Sequence, residues 1–306
     1  MAATPWGEIE VFDAHLHFFS PAFFESLAHQ KGVPEVGTSL GWDIPSSCPE
    51  LADRWIAELD SQGVAAAVLI ASIPNDTGSV AEAVKRAEAA KSRPERLHAV
   101  SMVNPLVPGP VPRSIFLFPA MHRYSLHDER VIDLMERAAR HPAPLVYVHC
   151  GALSVGFRRK LGLPSAFDMA FSNPIDLHAL AVQFPGINFV IPHFGAGYFR
   201  EALMVADLCP NVYLDTSSSN KWMRYQTEEI DLRRVFRRAL EVVGPSRLLF
   251  GSDSSWFPRG WVRQVFDDQV AVLAEIGVSR DTACAILGGN SRRIIPILST
   301  TAVDRQ

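Results

Sequence analysis

The chain has 306 residues, of which 48% are hydrophobic, and a formal charge of −4 from 29 basic and 33 acidic residues. Because the charges are interspersed, they argue against a nucleic-acid-binding surface and against a basic membrane-binding patch. The N-terminus lacks the basic start and apolar core of a signal peptide, and no apolar run reaches the length of a membrane helix. We therefore expect a cytoplasmic protein that acts on a small molecule.

Short apolar, β-branched segments recur eight times along the chain, and most of the intervening segments have the apolar spacing of amphipathic helices. The predicted strands are Ile9–Phe18, Ala65–Ile73, Leu97–Val103, Ser114–Ala120, Leu145–Gly151, Asn188–Gly195, Val212–Ser217 and Leu248–Trp256. Nearly continuous apolar strands that alternate with helices indicate a parallel sheet covered by helices. Eight such units predict an α/β fold, a single (β/α)8 TIM barrel spanning residues 1–306 as one domain.

The connection between the third and fourth predicted strands departs from this alternation. Its sequence, NPLVPGPVPR, has four prolines in ten residues, which excludes a helical crossover. We expect an extended link here and a gap in the outer helical layer. Either a neighbouring element or a second subunit, in a homodimer, would cover the strand faces at this gap.

The segment that follows the first strand, about residues 18–50, is long and rich in aromatic residues such as Phe19, Phe23 and Trp42. Long segments of this kind are often functional, so we expect a lid-like insertion over the barrel mouth. The alternative is ordinary packing across the mouth.

Histidines and an aspartate at strand ends are the candidate site, because barrel enzymes place their chemistry at the C-terminal ends of strands. His15 and His17 end the first strand, His149 the fifth, His193 the sixth and Asp253 the eighth. Two histidines two residues apart point to the same side of a strand, roughly 6.6 Å apart along the backbone, but alone they are weak evidence of a metal site. Four strand ends that each present a nitrogen or a carboxylate are far more specific. The alternative reading has His149 and His193 as core histidines and Asp253 as a helix N-cap.

Other polar residues near the strand ends are candidate supporting groups. Asp13 shares the face of His15 and His17, where it would accept the second ring proton of a ligand histidine. Trp256 and Arg259 follow the eighth strand in SWFPRGW, and an arginine among aromatic residues suits a planar substrate with a carboxylate. An arginine stacked on tryptophan for stability is the alternative. His122 follows the fourth strand and is a further candidate for substrate contact.

The segments DAHLH, VHCG, IPHFG, GSD and ILGGNSRRI occur in this order along the chain. They resemble the signature segments of the amidohydrolase superfamily, specifically its amidohydrolase-related branch, which includes the aminocarboxymuconate-semialdehyde decarboxylase group. The likeness runs from the first strand to Ile295. Relatives with two metal ions commonly carry a carboxylated lysine on the fourth strand, whereas SIFLFPA has none, so we expect a single ion.

The resemblance also implies roles for the residues at the strand ends. His15, His17 and His149 would bind a divalent ion, most often zinc in this branch. Asp253 would be a fourth ligand or a hydrogen-bond partner of the bound water. His193 would stand beside that water as an acid–base or polarising residue.

Three histidines and a carboxylate, without cysteine, are typical of a catalytic zinc site with an open position for water. The ion would lower the pKa of that water, and Asp253 would take its proton while His193 orients the attack. We therefore expect a metal-dependent hydrolase of a C–O or C–N bond in a small carboxylate-bearing substrate, cyclic or aromatic. The same ligands allow a non-oxidative metal-dependent decarboxylase, a carboxy-lyase. A metal-bound barrel without catalytic activity is the third alternative.

Overall fold

The computed structural model describes residues 1–74, 76–89, 95–153, 155–165, 167–217 and 220–295. A short antiparallel hairpin, β1 and β2, precedes an eight-stranded sheet, β3 to β10, in which each strand pairs in parallel with the next along the chain. The strands are β1 Ala2–Thr4, β2 Gly7–Ile9, β3 Val11–Phe18, β4 Val64–Ala71, β5 Leu97–Met102, β6 Ser114–Leu117, β7 Leu145–Val148, β8 Asn188–Ile191, β9 Val212–Asp215 and β10 Leu248–Leu249. The predicted (β/α)8 fold and the order of its eight strands are confirmed.

Helices follow most of the strands and form the outer layer of the barrel. They are α1 Pro21–Lys31, α2 Gly37–Leu40, α3 Cys48–Ser61, α4 Gly78–Ala89, α5 Pro119–His122, α6 Glu129–Ala138, α7 Gly156–Lys160, α8 Leu177–Gln183, α9 Phe199–Leu208, α10 Leu232–Val242, α11 Arg263–Glu275, α12 Arg280–Cys284 and α13 Asn290–Ile294. In the part of the chain that the structure describes, none of the helices is both long and apolar enough to cross a membrane.

Helix α3 shows how the sequence builds this layer. Ser47 caps its N-terminus, where the hydroxyl accepts the N–H of Glu50 at 3.2 Å. The buried residues Leu51, Trp55 and Leu59 recur at helical spacing and pack on the barrel. Burial of each such side chain stabilises the fold by roughly 1.5–3 kcal/mol. Strand β4 is buried at every position, as expected for a parallel strand covered on both faces.

The barrel closes between β10 and β3, and this seam positions the candidate site. Leu16 of β3 forms an isolated parallel bridge with Ser254. The N–H of His17 donates to the carbonyl of Ser254 at 2.8 Å, and the N–H of Asp253 donates to the carbonyl of His15 at 2.9 Å. Asp253 is therefore held beside the two histidines of the first barrel strand.

The proline-rich connection between β5 and β6 contains no helix, as predicted. Helix α6 and the residues after it lie against this connection. Arg137 donates to the carbonyl of Gly109 at 3.3 Å, and the His141 ring lies 2.9 Å from the carbonyl of Val111. Phe116 of β6 faces His15 inside the barrel. Its neighbours Ile115 and Leu117 lie on the opposite, outer face of the strand and are fully buried, so elements of the same chain cover that face.

Residues 19–47, here called the insertion, lie between β3 and α3 and contain α1 and α2. Their side chains form a second apolar cluster, distinct from the barrel core. Its buried members are Phe19, Phe23, Phe24, Leu27, Ala28, Val36, Leu40 and, from the segment after β7, Leu161. The insertion therefore has a small core of its own beside the barrel mouth.

Candidate metal centre

Three side chains from different parts of the sequence, His15, His193 and Asp253, meet at the C-terminal mouth of the barrel. Their ligand-type atoms all lie within 4.8 Å of one another. The Nε2 atom of His17 is 3.3 Å from Nε2 of His15 and 3.4 Å from Oδ1 of Asp253. Two tetrahedral ligands with bonds of about 2.1 Å to one ion lie about 3.4 Å apart. The spacing and chemistry of these donors fit one divalent ion.

His149 lies at the edge of this cluster. It is buried, its ring stacks on Phe118 with centroids 5.1 Å apart, and its centroid is 5.4 Å from that of His193. The structure therefore brings His149 to the mouth but outside the three-residue group, and its role as a ligand stays a prediction. His193, expected to act beside the ion, lies within the group.

The backbone bends sharply where the chain leaves β8 and β10. His193 and Asp253 have φ angles of 56° and 58°, in the left-handed region that residues with a side chain rarely adopt. Phe194 and Ala196 share this conformation, with φ of 52° and 43°. Each such residue costs roughly 1–3 kcal/mol, and this kind of strain concentrates at functional sites. These bends are why the observed strands stop before His193 and Asp253, short of their predicted ends.

His15 has a buried carboxylate partner, Asp215 at the end of β9, which the sequence interpretation missed. Oδ2 of Asp215 lies 2.5 Å from Nδ1 of His15, and both side chains are fully buried. An aspartate at the end of an otherwise apolar predicted strand was the available signal. The same rule that selected the histidines, a polar group at a strand end, applies to it.

Asp13 does not accept a ring proton, so that prediction is wrong. Its carboxylate accepts the backbone N–H groups of His15 and Ser252, both at 3.0 Å, and the indole N–H of Trp261 at 2.7 Å. It also accepts the Ser252 hydroxyl. Asp13 lies one layer deeper than the histidines, where it joins β3 to the chain after β10 across the barrel seam.

Ser217, two residues after Asp215, lies between two histidine rings. Its hydroxyl oxygen is 2.9 Å from Nδ1 of His193 and 3.2 Å from Nδ1 of His15. Its carbonyl is 3.2 Å from Nδ1 of His193, and its N–H donates to Oδ1 of Asp215 at 2.6 Å. The end of β9 thus contacts both Nδ1 atoms, so Nε2 is the nitrogen of each ring that remains for an ion.

The charges of the cluster suit a cation. Burial lowers the pKa of His17, His149 and His193, because a charged imidazole is poorly solvated there. Burial also disfavours the charged form of His15, but the adjacent Asp215 outweighs it and raises the pKa of His15. For Asp253, burial acts to raise the pKa, yet the hydrogen bond to His17 and the surrounding imidazoles hold it below its usual value. The site combines an ionised carboxylate with mainly neutral imidazoles, the forms that bind metal ions.

A cavity of about 460 Å³ opens onto the cluster. Among the described residues that line it, Asp253 is the one carboxylate, whereas Arg158 and Arg259 contribute guanidinium groups. Most of the wall is apolar and is formed by residues that include Phe19, Phe23, Leu27, Trp42, Ile73, Met121, Leu153, Phe157 and Trp256. Such a lining suits a small molecule with an apolar body and a negative group.

Four of these aromatic rings stack in a row. Trp256 and Trp42 have centroids 4.9 Å apart, Trp42 and Phe19 5.6 Å, and Phe19 and Phe23 4.2 Å, with planes inclined by at most 16°. The guanidinium of Arg259 lies 5.0 Å from the centroid of Trp256, at one end of the row. The aromatic row therefore runs from the arginine at the mouth to helix α1.

Arg259 stacks on Trp256 and also lines the cavity. The arrangement therefore has features of both predicted roles, a substrate contact and a stabilising stack. It donates to the hydroxyl of Ser255 at 2.9 Å and to the carbonyl of Asp253 at 3.3 Å. Among the described residues it forms no ion pair with a carboxylate. His122 lines the same cavity, and its buried Nδ1 has no hydrogen-bond partner in the ranges that the structure describes.

The family model described as Amidohydrolase matches residues 12–297, which include every residue of the cluster. The chain belongs to the Amidohydrolase family. A stretch of 87 residues of this amidohydrolase is 37% identical to Protein fluG of Emericella nidulans. The match covers 28% of this chain and 10% of that relative, so it concerns a small part of the relative's length.

Solved structures with similar folds include two hydrolase-like barrels. A probable 2-pyrone-4,6-dicarboxylic acid hydrolase from Acinetobacter baumannii, with citric acid bound, aligns with a TM-score of 0.56 at 14% identity, over 94% of this chain and 99% of that one. An amidohydrolase from Burkholderia multivorans with bound zinc aligns with a TM-score of 0.54 at 17% identity, over 94% and 100%. At these identities the likeness shows the shared fold, and it agrees with the superfamily that the sequence motifs indicate.

Proposed function

We propose that this amidohydrolase is a metal-dependent hydrolase that holds one divalent ion, Zn²⁺, and cleaves a C–O or C–N bond in a small carboxylate-bearing substrate. The observation that carries the proposal is the convergence of His15, His193 and Asp253, with His17 in contact, at the mouth of the barrel. His15, His17, His149 and Asp253 would hold the ion, with His193 adjacent. The zinc-bound neighbour from B. multivorans supports the choice of metal.

A bound ion would supply Lewis-acid chemistry at the mouth. The protein itself supplies a proton acceptor there. Oδ1 of Asp253 faces the two histidines of β3, whereas Oδ2 takes no part in those contacts. Asp253 is ionised at neutral pH, so Oδ2 can accept a proton from an attacking water and return it to the leaving group. The ring of His193, fixed by Ser217, orients the reacting groups.

The cavity supports a substrate with a planar or apolar body and a carboxylate. In the described part of the chain, no carboxylate pairs with the guanidinium of Arg259, which lies beside Asp253. Arg259 is therefore placed to bind an anionic group next to the reacting bond. The aromatic row offers a surface for a ring or an apolar chain. His122, with its unpartnered Nδ1, is proposed as a further substrate contact. The neighbour from A. baumannii, which holds citric acid, is consistent with a carboxylate ligand.

The test combines metal analysis with a substrate screen. Purified protein should contain close to one divalent ion per chain, and the double variant His15→Ala, His17→Ala should lose it. Lactones, amides and aromatic carboxylates are then offered while acid release and carbon dioxide are monitored together. Acid release without carbon dioxide supports the hydrolase. Carbon dioxide release would instead assign the chain to the carboxy-lyases, in line with the narrower sequence likeness to the decarboxylase group.

A metal-free wild-type protein, or unchanged metal content in the double variant, would show that the proposed ligands are wrong. Neither acid nor carbon dioxide from any substrate, in protein that does contain the ion, would favour a metal-bound barrel without catalysis.

A further inference from the structure

We propose that Asp215 and Ser217 are positioning residues, which fix the ring tautomers of His15 and His193 so that both Nε2 lone pairs face the cluster. This inference rests on the proposed function, because it explains how the metal site is prepared before an ion arrives. Both residues lie at the end of β9, the seventh barrel strand, which contributes none of the predicted ligands.

The first step concerns His15 and Asp215. An ionised carboxylate accepts hydrogen bonds and cannot donate them. Because Oδ2 of Asp215 lies 2.5 Å from Nδ1 of His15, the hydrogen of the neutral ring is on Nδ1. The Nε2 atom, which points at His17 and Asp253, then carries the lone pair that a metal ion needs.

The second step concerns His193 and Ser217. The carbonyl oxygen of Ser217, 3.2 Å from Nδ1 of His193, is also an acceptor without a hydrogen. It therefore places the hydrogen of His193 on Nδ1 and the lone pair on Nε2. The Ser217 hydroxyl lies within reach of Nδ1 of both rings, and with hydrogens on those two atoms it acts there as an acceptor. One short segment thus sets the same tautomer in two histidines from different strands.

The third step is that packing holds this segment in place. Asp215 and Ser217 are fully buried. A Cβ atom added to Gly251, after β10, would lie 2.6 Å from Oδ1 of Asp215 and 2.8 Å from both the His15 Cβ and the Ser217 Cβ. The missing side chain at residue 251 lets the three polar residues approach closely. The packing of the barrel therefore fixes their relative positions.

The substitution Asp215→Asn gives a sharp test, because the amide cannot reproduce both hydrogen bonds. Its oxygen is required by the N–H of Ser217, which lies 2.6 Å from Oδ1 in the wild type. The NH₂ group would then face Nδ1 of His15 and donate to it, which moves the ring hydrogen to Nε2. In metal-free protein, ¹⁵N-edited NMR of the histidine side chains should show this change. Zn²⁺ affinity, measured by chelator competition, should fall about 10–100-fold.

Asp13→Asn is the matched control, since it alters another buried aspartate that bonds to the backbone of His15 but not to its ring. It should lower stability and leave the His15 hydrogen on Nδ1. The tautomer of metal-free wild-type protein, recorded at a pH where both rings are neutral, is a second test that needs no variant. Hydrogens on Nδ1 of His15 and His193 support the proposal, and hydrogens on Nε2 overturn it.

The proposal is overturned if Asp215→Asn keeps both the wild-type tautomer of His15 and the wild-type affinity for Zn²⁺. It is also overturned if Asp13→Asn changes the tautomer of His15 as much as Asp215→Asn does. The wild-type protein could bind no Zn²⁺ while Asp215→Asn still changes the tautomer of His15. That result would contradict the proposed function and still support the positioning of the ring by Asp215.

Discussion

Trp42 of the insertion and Trp256 of the loop after β10 stack face to face, with centroids 4.9 Å apart and planes inclined by 10°. Beside this contact, the N–H of Asp43 donates to the carbonyl of Phe257 at 2.8 Å. The two contacts join the insertion to the loop that carries Arg259. One wall of the cavity is therefore made by two segments that are far apart in sequence, and its integrity depends on their contact.

Replacing Trp42 by alanine should loosen the insertion without unfolding the barrel. Loss of the stacking should cost about 0.5–1.5 kcal/mol beyond the lost buried area. Because the insertion has its own apolar cluster, hydrogen exchange should rise in α1 and α2 while β4 stays protected. Tyr225→Ala, which removes an exposed aromatic ring, is the control. Unchanged exchange in α1 and α2 would show that the stack does not hold the insertion.

Asp253→Asn should remove the proposed proton acceptor and leave the fold intact. Asparagine has nearly the same shape and tolerates the left-handed backbone that Asp253 adopts, with φ of 58°. Turnover should therefore fall about 10²–10⁴-fold, while the thermal midpoint changes little. Asp253→Ala should lose as much activity and more stability, because alanine tolerates that backbone less well. Full activity in Asp253→Asn would exclude the side chain from proton transfer.

The strand order and the proximity of His15, His193 and Asp253 could be predicted from the sequence, because the parallel strands of a barrel bring their C-terminal ends to one mouth. This rule needs only the apolar pattern and the positions of polar residues along it. It succeeds even though β10 has just two residues with strand geometry, since the barrel seam continues through Ser254.

The hydrogen-bond partners of the histidines could not be predicted in the same way. Alternation along β3 places Asp13 on the face of His15, but it does not show that Ser252 and Trp261 reach that carboxylate across the seam. The 2.5 Å contact between Asp215 and His15 depends on how far each strand is staggered and on the backbone bends after β8 and β10. Those features arise from contacts between distant segments, which periodicity in one sequence does not encode.

Stability should depend on pH through His122. Burial lowers the pKa of His122 to about 4, compared with about 6.5 in an unfolded chain. As the pH falls between these values, the unfolded state binds a proton that the folded state does not, so the free energy of unfolding decreases. Above about pH 6.5 this contribution is fully retained.

His122→Gln should therefore lose less stability than the wild type between pH 7 and pH 5 in urea titrations. His29→Gln, at an exposed position on α1, should behave like the wild type. Equal losses in wild type and His122→Gln would contradict the prediction.

Gly251→Ala should displace the side chains that support the candidate metal centre. The added methyl group would lie 2.6 Å from Oδ1 of Asp215 and 2.8 Å from the β-carbons of His15 and Ser217, closer than packed atoms approach. All three neighbours are buried in the barrel, so they cannot move aside freely. Overpacking of this kind typically costs about 1–3 kcal/mol. Displacement of His15 and Asp215 should also weaken Zn²⁺ binding.

Gly186→Ala is the matched control for this crowding. Residue 186 lies in the exposed turn before β8, and an added Cβ would meet nothing within 4 Å. There the substitution should leave stability unchanged or raise it by about 0.4–1 kcal/mol, because alanine restricts the unfolded chain. Urea unfolding and Zn²⁺ competition on both variants separate the two effects. If Gly251→Ala matched Gly186→Ala in both measurements, the close approach of Asp215, His15 and Ser217 would not be a constraint on the site. Loss of stability together with Zn²⁺ affinity in Gly251→Ala alone would show that barrel packing and metal affinity are coupled through this one position.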